Sequence, residues 1–319
     1  MYFACETLDD LLHNVLEALL LDTTFVKASR GHFTELYGTC LHLKNPRARL
    51  SRSEGKGKVF SALGELLWYL SGDTRLDFID YYIPNQFQKE SDDQVRVRSG
   101  YGDRLFSFNG IDQVGNVIRQ LKDKPSSRRA VIQLFDATDL DGKFKSVPCT
   151  CTLQFLARDG RLNLFASMRS NDAYVGLPHD VFAFTMLQEM IARSTGNELG
   201  EYKHCAGSLH LYEEHREQAE KYLKEGWQPT TIAMPAMPNV DPWDSVKVLR
   251  RVEGELRNGK DVDIRAALLD PYWEDLAWLL KAFRASKDEN RQELVSIKDE
   301  MRSEVYKMFI QPRIDRLTT

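Results

Sequence analysis

The chain of 319 residues is 42% hydrophobic and 28% charged, ordinary for a soluble globular protein and enough for one large domain or two small ones. A net charge of −4 offers no basic face to a nucleic-acid backbone, so a nucleotide monomer is a better partner than a polymer. The start Met1–Glu6 lacks the basic opening of a secretion signal, and no apolar run reaches the ~18 residues that span a bilayer.

Along the chain, the pattern predicts an amphipathic helix over 7–21, capped by Thr7 or an aspartate, and strand material over 33–44 around Gly38. An apolar helix follows over 57–71 and stops at Gly72-Asp73-Thr74. Glu65 is embedded in it among Leu63, Leu66, Leu67 and Trp68, which leaves little polar face for a surface glutamate. Residues 85–100 are polar and irregular, as an active-site loop would be. A helix over 113–124 ends at Pro125, and Ala130–Phe135 reads as a strand. Strands over 148–157 and 161–169 join at Asp159-Gly160, a hairpin signal. Residues 180–195 have helical period with Phe182, Met186, Leu187 and Met190 as the buried stripe. A strand over 202–212 and a charged helix over 213–225 come next, and from Pro238 onward three charged helices are predicted over 242–258, 270–285 and 287–310.

The five cysteines (Cys5, Cys40, Cys149, Cys151, Cys205) follow no disulfide framework, which predicts reduced thiols and a cytoplasmic setting. Cys149 and Cys151 are too close for a metal knuckle, no metal is expected, and strand alternation would put both on one face.

Chemistry concentrates in one segment: Val147-Pro148-Cys149-Thr150-Cys151-Thr152-Leu153-Gln154-Phe155, then Met168-Arg169-Ser170-Asn171-Asp172, Gly176-Leu177-Pro178-His179-Asp180 and Gly207-Ser208-Leu209-His210-Leu211-Tyr212. A thiol needs a nearby positive charge to act as a thiolate, and a phosphorylated substrate needs arginines for a bidentate grip. With Glu65-Leu66-Leu67-Trp68-Tyr69-Leu70 and Ser127-Arg128-Arg129 upstream, these motifs resemble the thymidylate synthase superfamily in order and spacing, over roughly residues 10 to 235.

That resemblance implies an α/β fold: a large mixed β-sheet flanked by helices, as catalytic domain 1–237; the predicted helices of 238–319 fall beyond the family core and read as a helical extension packed on it. It implies Cys149 as the nucleophile that adds to C6 of a pyrimidine, and 5,10-methylenetetrahydrofolate as the one-carbon donor to C5. Cys151 is the rival thiol, but the spacings to Gln154-Phe155 and Arg169 favour Cys149. Glu65 would orient water and shuttle protons. Arg30, Arg169 and Ser170 would hold the phosphate of a nucleoside monophosphate, joined by Arg128 and Arg129 from the second subunit of a homodimer. His210 and Tyr212, two apart on a strand, would meet the sugar, Asp172 the folate or base, and Tyr101 would line the pocket near Cys149.

One departure bears on the substrate. Thymidylate synthases carry asparagine where this chain has Asp180, and the amide suits uracil. An aspartate accepts from the amino group of cytosine and can share a proton with N3. Here, and in Met-Arg-Ser-Asn-Asp and Gly-Ser-Leu-His-x-Tyr, the chain resembles the deoxycytidylate hydroxymethylases. Residues 79–100 contain no tryptophan, unlike the thymidylate synthases, so a less apolar wall could admit water in place of hydride. The expected activity is folate-dependent 5-hydroxymethylation of dCMP or CMP, the C-terminal extension inclining towards CMP. The rival readings are dUMP methylation and a catalytically silent nucleotide-binding paralogue.

Overall fold

The computed structural model describes residues 1–28, 31–53, 58–267 and 269–317. A seven-stranded mixed sheet forms its centre, with strands β1 (Tyr2–Cys5), β2 (Val26–Ala28), β3 (Gly31–Leu43), β4 (Val131–Gln133), β5 (Thr150–Arg158), β6 (Arg161–Asp172) and β7 (Glu198–Tyr212). The spatial order is β1-β3-β7-β6-β5-β4, with β2 paired to β3. β1 runs parallel to β3 and β6 to β7; the other pairings are antiparallel. The expected α/β architecture is present.

Helices cover one face. Helix α1 (Leu8–Leu21) opens with the Thr7 hydroxyl accepting from the Asp10 amide at 3.1 Å, and buries Leu8, Leu11, Leu12, Val15, Leu16 and Leu19. It packs on β1, β3 and β7, while α6 (Gly176–Ser194) packs on β6 and β7. Between α6 and the C-terminal helices lies α2 (Val59–Leu70), buried at every position but Ser61. An apolar helix enclosed all round has no solvent side, so Glu65 on it is only 8% exposed. Two short helices not foreseen, α3 (Leu76–Tyr82) and α4 (Gly102–Phe106), are too brief to show a period; α5 (Gln113–Asp123) matches expectation.

The other sheet face is largely uncovered among the described residues, with Tyr37 86% exposed. The alternation of buried and outward residues slips by one at a common level in three neighbouring strands. Two consecutive residues leave the core at Tyr37-Gly38, at Arg169-Ser170 and at Gly207-Ser208. Tyr37 pairs with Ser208 and Ser208 with Ser170, so the three slips align into a step. Gly38 permits it with φ +61, and Gly207 by having no Cβ: one there would lie 3.0 Å from the Arg169 carbonyl oxygen. At the same end, β5 carries a bulge between Thr150 and Thr152. The bulge interrupts the regular alternation assumed for this strand: Cys151 is the extra residue where the register shifts.

A correction concerns the thiols. Cys40 and Cys205, 165 residues apart, face each other across β3 and β7 and are joined as a disulfide; Cys5, Cys149 and Cys151 form no disulfide among the described residues. Strand register is invisible to a cysteine count. The predicted hairpin is present, with Asp159 and Gly160 at φ 50 and 70, as a tight two-residue turn requires.

After α7 (Arg216–Lys224), helix α8 (Trp243–Arg257) packs on α2, as does α9 (Pro271–Lys287). Phe283 of α9 stacks on Phe60 and Tyr82, whose hydroxyl donates to Glu253 of α8 at 2.9 Å. The single helix predicted over 287–310 is instead α10 (Arg291–Glu300) and α11 (Glu304–Arg316). The buried Asp275 carboxylate accepts the amides of Arg302 and Ser303, each at 2.9 Å, and so captures the backbone between them.

Candidate active site

The sheet step and the β5 bulge meet at Cys149. This residue immediately precedes β5, half-buried against the core, and its carbonyl accepts the Arg169 amide at 2.9 Å. The Arg169 guanidinium folds back over it. Nε donates to the Pro148 carbonyl and Nη2 to that of Val147, both at 3.0 Å, and Nη2 lies 3.7 Å from Cys149 Sγ. The thiol therefore faces a fixed cation, as thiolate chemistry needs.

Three buried groups are linked to that thiol through Tyr101. Tyr101, 5% exposed, accepts the Thr150 amide at 3.2 Å and the Thr150 hydroxyl at 2.9 Å, and its ring lies 5.0 Å from Tyr69. Burial pushes its hydroxyl well up, assisted by Asp180 and then Cys149, so both are near enough to act on it. Glu65 accepts from the Tyr69 hydroxyl one helical turn on. Burial raises the Glu65 carboxyl to about 7; the Tyr69 hydrogen bond opposes the rise and Glu90 adds to it. Asp180, in the first turns of α6, is 9% exposed and is held well above the usual carboxylate range by burial and then by Glu65. Its Oδ2 accepts from Asn171 Nδ2 at 2.7 Å. Two neighbouring buried carboxyls whose titration is raised in this way are able to hold protons.

The other expected residues lie on the same strands. Ser170 follows Arg169 at the step. Asp172 pairs in register with His210, and its Oδ1 accepts the amides of Tyr174 and Val175 at 2.8 and 2.9 Å, fixing the turn into α6. His210 and Tyr212 are together as expected, with rings 5.0 Å apart and Phe33 beside both. Arg128 and Arg129 are exposed at the start of β4, and neither guanidinium has an ion-pair partner among the described residues. Val131 pairs with Gln154, five residues beyond Cys149 and so roughly 16 Å along the strand. The two arginines are not brought to the thiol of their own chain. Arg30 lies outside the described residues.

Sequence reasoning did not assign Glu90, whose Oε2 accepts from the Ser146 hydroxyl at 2.8 Å and Ser99 at 3.2 Å, nor Lys58. Burial lowers the Lys58 ammonium against the pull of Asp172, which places Lys58 beside that carboxylate. Glu90 falls in the polar segment 85–100, which was the available signal.

The thymidylate synthase family model matches residues 55–247, more than half of the chain, and the chain belongs to that family. It is a folate-dependent transferase acting on nucleotides. No helix among the described residues is long and apolar enough to cross a membrane.

Proposed function

We propose that the protein hydroxymethylates C5 of a cytidine monophosphate, CMP or dCMP, as the deoxycytidylate and cytidylate hydroxymethylases do. The observation that carries this reading is the buried Asp180, with Oδ2 fixed by Asn171 at 2.7 Å, where an asparagine would suit uracil. The cytosine amino group needs an acceptor and N3 a proton or a donor; a carboxyl held high in its titration supplies both.

In this reading Cys149, faced by Arg169, adds to C6 and makes C5 nucleophilic. Arg169 and Ser170 grip the phosphate with Arg30, and Arg128 and Arg129 reach it from the partner of a homodimer. The uncovered sheet face supports such a dimer, and the distance of β4 from Cys149 supports supply in trans. His210 and Tyr212 meet the sugar, and Tyr101 walls the pocket. Residues 238–319 act as a helical extension on the catalytic domain 1–237, bracing α2 and thereby Glu65.

The polar groups fit 5,10-methylenetetrahydrofolate. Asp172 offers a carboxylate to an amino-rich pteridine, with the Lys58 ammonium beside it. When bound, the folate supplies a one-carbon unit to C5. Glu65 then holds water and moves its proton, with a carboxyl that titrates near working pH. Glu90 in the wall, in a segment without tryptophan, favours water there.

The test is incubation with methylenetetrahydrofolate and each of dUMP, dCMP, UMP and CMP. A cytidine nucleotide should be consumed in preference, and Asp180→Asn should lower that preference about ten- to a hundredfold. Wild-type preference for dUMP would replace this reading with methylation of uridylate.

A further inference from the structure

Asp180 is the end of a buried chain. Asn171 Nδ2 donates to its Oδ2 at 2.7 Å, Asn171 Oδ1 meets His204 Nε2 at 3.0 Å, and His204 Nδ1 meets the Tyr202 hydroxyl at 2.7 Å. Asn171 is 4% exposed, and His204 and Tyr202 are 1% exposed. The polarity of the chain follows from its ends. An amide whose nitrogen serves the carboxyl presents oxygen to His204, so Nε2 carries the hydrogen and Nδ1 accepts from the Tyr202 O–H. Burial lowers the His204 imidazole to about 3, so it stays neutral and keeps this arrangement.

A carboxyl bearing one proton is ambidextrous, because the proton can sit on either oxygen. With the proton on Oδ1 it donates to cytosine N3, while Oδ2 accepts from the amino group with its second lone pair. Uracil presents the reverse pattern, an N–H at N3 and an acceptor at O4, and needs the proton on Oδ2. We propose that Asn171, oriented by His204 and Tyr202, is a specificity-determining positioning residue: its N–H on Oδ2 confines the Asp180 proton to Oδ1 and so admits cytosine over uracil. The inference rests on Asp180 facing the base, as proposed above. To serve uracil, Asn171 would have to flip, His204 change tautomer and the Tyr202 hydroxyl lose its acceptor, all inside the core. Such reversals leave a buried donor unpaired and are costly.

The experiment compares kcat/KM for CMP, dCMP, UMP and dUMP in the wild type and in Asn171→Ala, His204→Leu, His204→Gln and Asp180→Asn. Asn171→Ala and His204→Leu should lower the cytidine-to-uridine ratio by about tenfold or more, chiefly by improved use of uridine nucleotides. His204→Gln, which keeps a donor for Asn171, should retain most of it. A purely structural role would weaken both bases together and leave the ratio unchanged, which overturns the proposal. If the variants do not fold, nitrogen NMR of the native protein decides. His204 should show the neutral Nε2–H tautomer with and without nucleotide, and the Nδ1–H tautomer or a charged ring overturns the proposal. A wild type that prefers uridine nucleotides sinks the cytosine reading and this one together. A ratio that moves in Asp180→Asn but not in Asn171→Ala or His204→Leu sinks this one alone.

Discussion

Arg169 folds back along the strand end so that its Nη2 lies 3.7 Å from Cys149 Sγ while also donating to the Val147 carbonyl at 3.0 Å. One guanidinium thus fixes the loop that carries the thiol and sets a charge beside it. Cys149→Ser should abolish tritium release from C5 of the nucleotide, with nucleotide affinity changed less than about threefold, because the phosphate grip is separate from the thiol. Arg169→Lys should also lose at least about tenfold in exchange, since a single ammonium cannot replace the forked donors. Exchange retained in Cys149→Ser and lost in Cys151→Ser would move the nucleophile to Cys151.

The Glu65 carboxyl titrates near 7 in the fold and near 4.5 when unfolded, so the native state binds the proton more tightly. Stability therefore falls as pH rises from about 4.5 to 7 and then levels off, a loss on the order of 3 kcal/mol. Glu65→Gln escapes this cost. Its Tm relative to the wild type should rise across that window and stay high at pH about 8, while turnover is lost. A Tm difference that does not change with pH would show that Glu65 is not held protonated by burial.

Glu90 raises Glu65 through its own negative charge. Glu90→Gln should let Glu65 ionise more readily and carry the acid limb of the kcat profile to lower pH. An unmoved limb would remove Glu90 from the proton chemistry.

The dimer proposal is tested by mixing. An Arg128→Ala/Arg129→Ala chain and a Cys149→Ser chain are each expected to be nearly inactive alone. Together they should recover activity, because one of the two sites in the hybrid holds both intact halves. A monomer by light scattering that remains active on dilution contradicts the shared site.

Much of this was legible in the chain, for identifiable reasons. Helix α1, the Asp159-Gly160 hairpin and the sheltered Glu65 follow from period, turn chemistry and the absence of a polar helix face. The motif residues Cys149, Arg169, Asp180 and Tyr101 are brought together because two adjacent strand ends and two helix starts carry them. What was hidden depends on register. Cys40 meets Cys205 only once β3 and β7 are aligned, and Asn171 reaches His204 by side chain alone, since the β6–β7 register pairs them instead with Leu209 and Ala166. The aligned slips at Gly38, Arg169 and Gly207 are likewise a property of the sheet, not of any one strand. The break between α10 and α11 needed Asp275, 27 residues away in α9.

The origin of the added oxygen tests the central claim most directly. The protein is incubated with CMP or dCMP and methylenetetrahydrofolate in water enriched in heavy oxygen, and the nucleotide product is weighed by mass spectrometry. The account predicts a hydroxymethylated cytidine nucleotide whose new hydroxyl carries the heavy isotope. A product that has gained a methyl group and no label, or label-free turnover of dUMP alone, contradicts it.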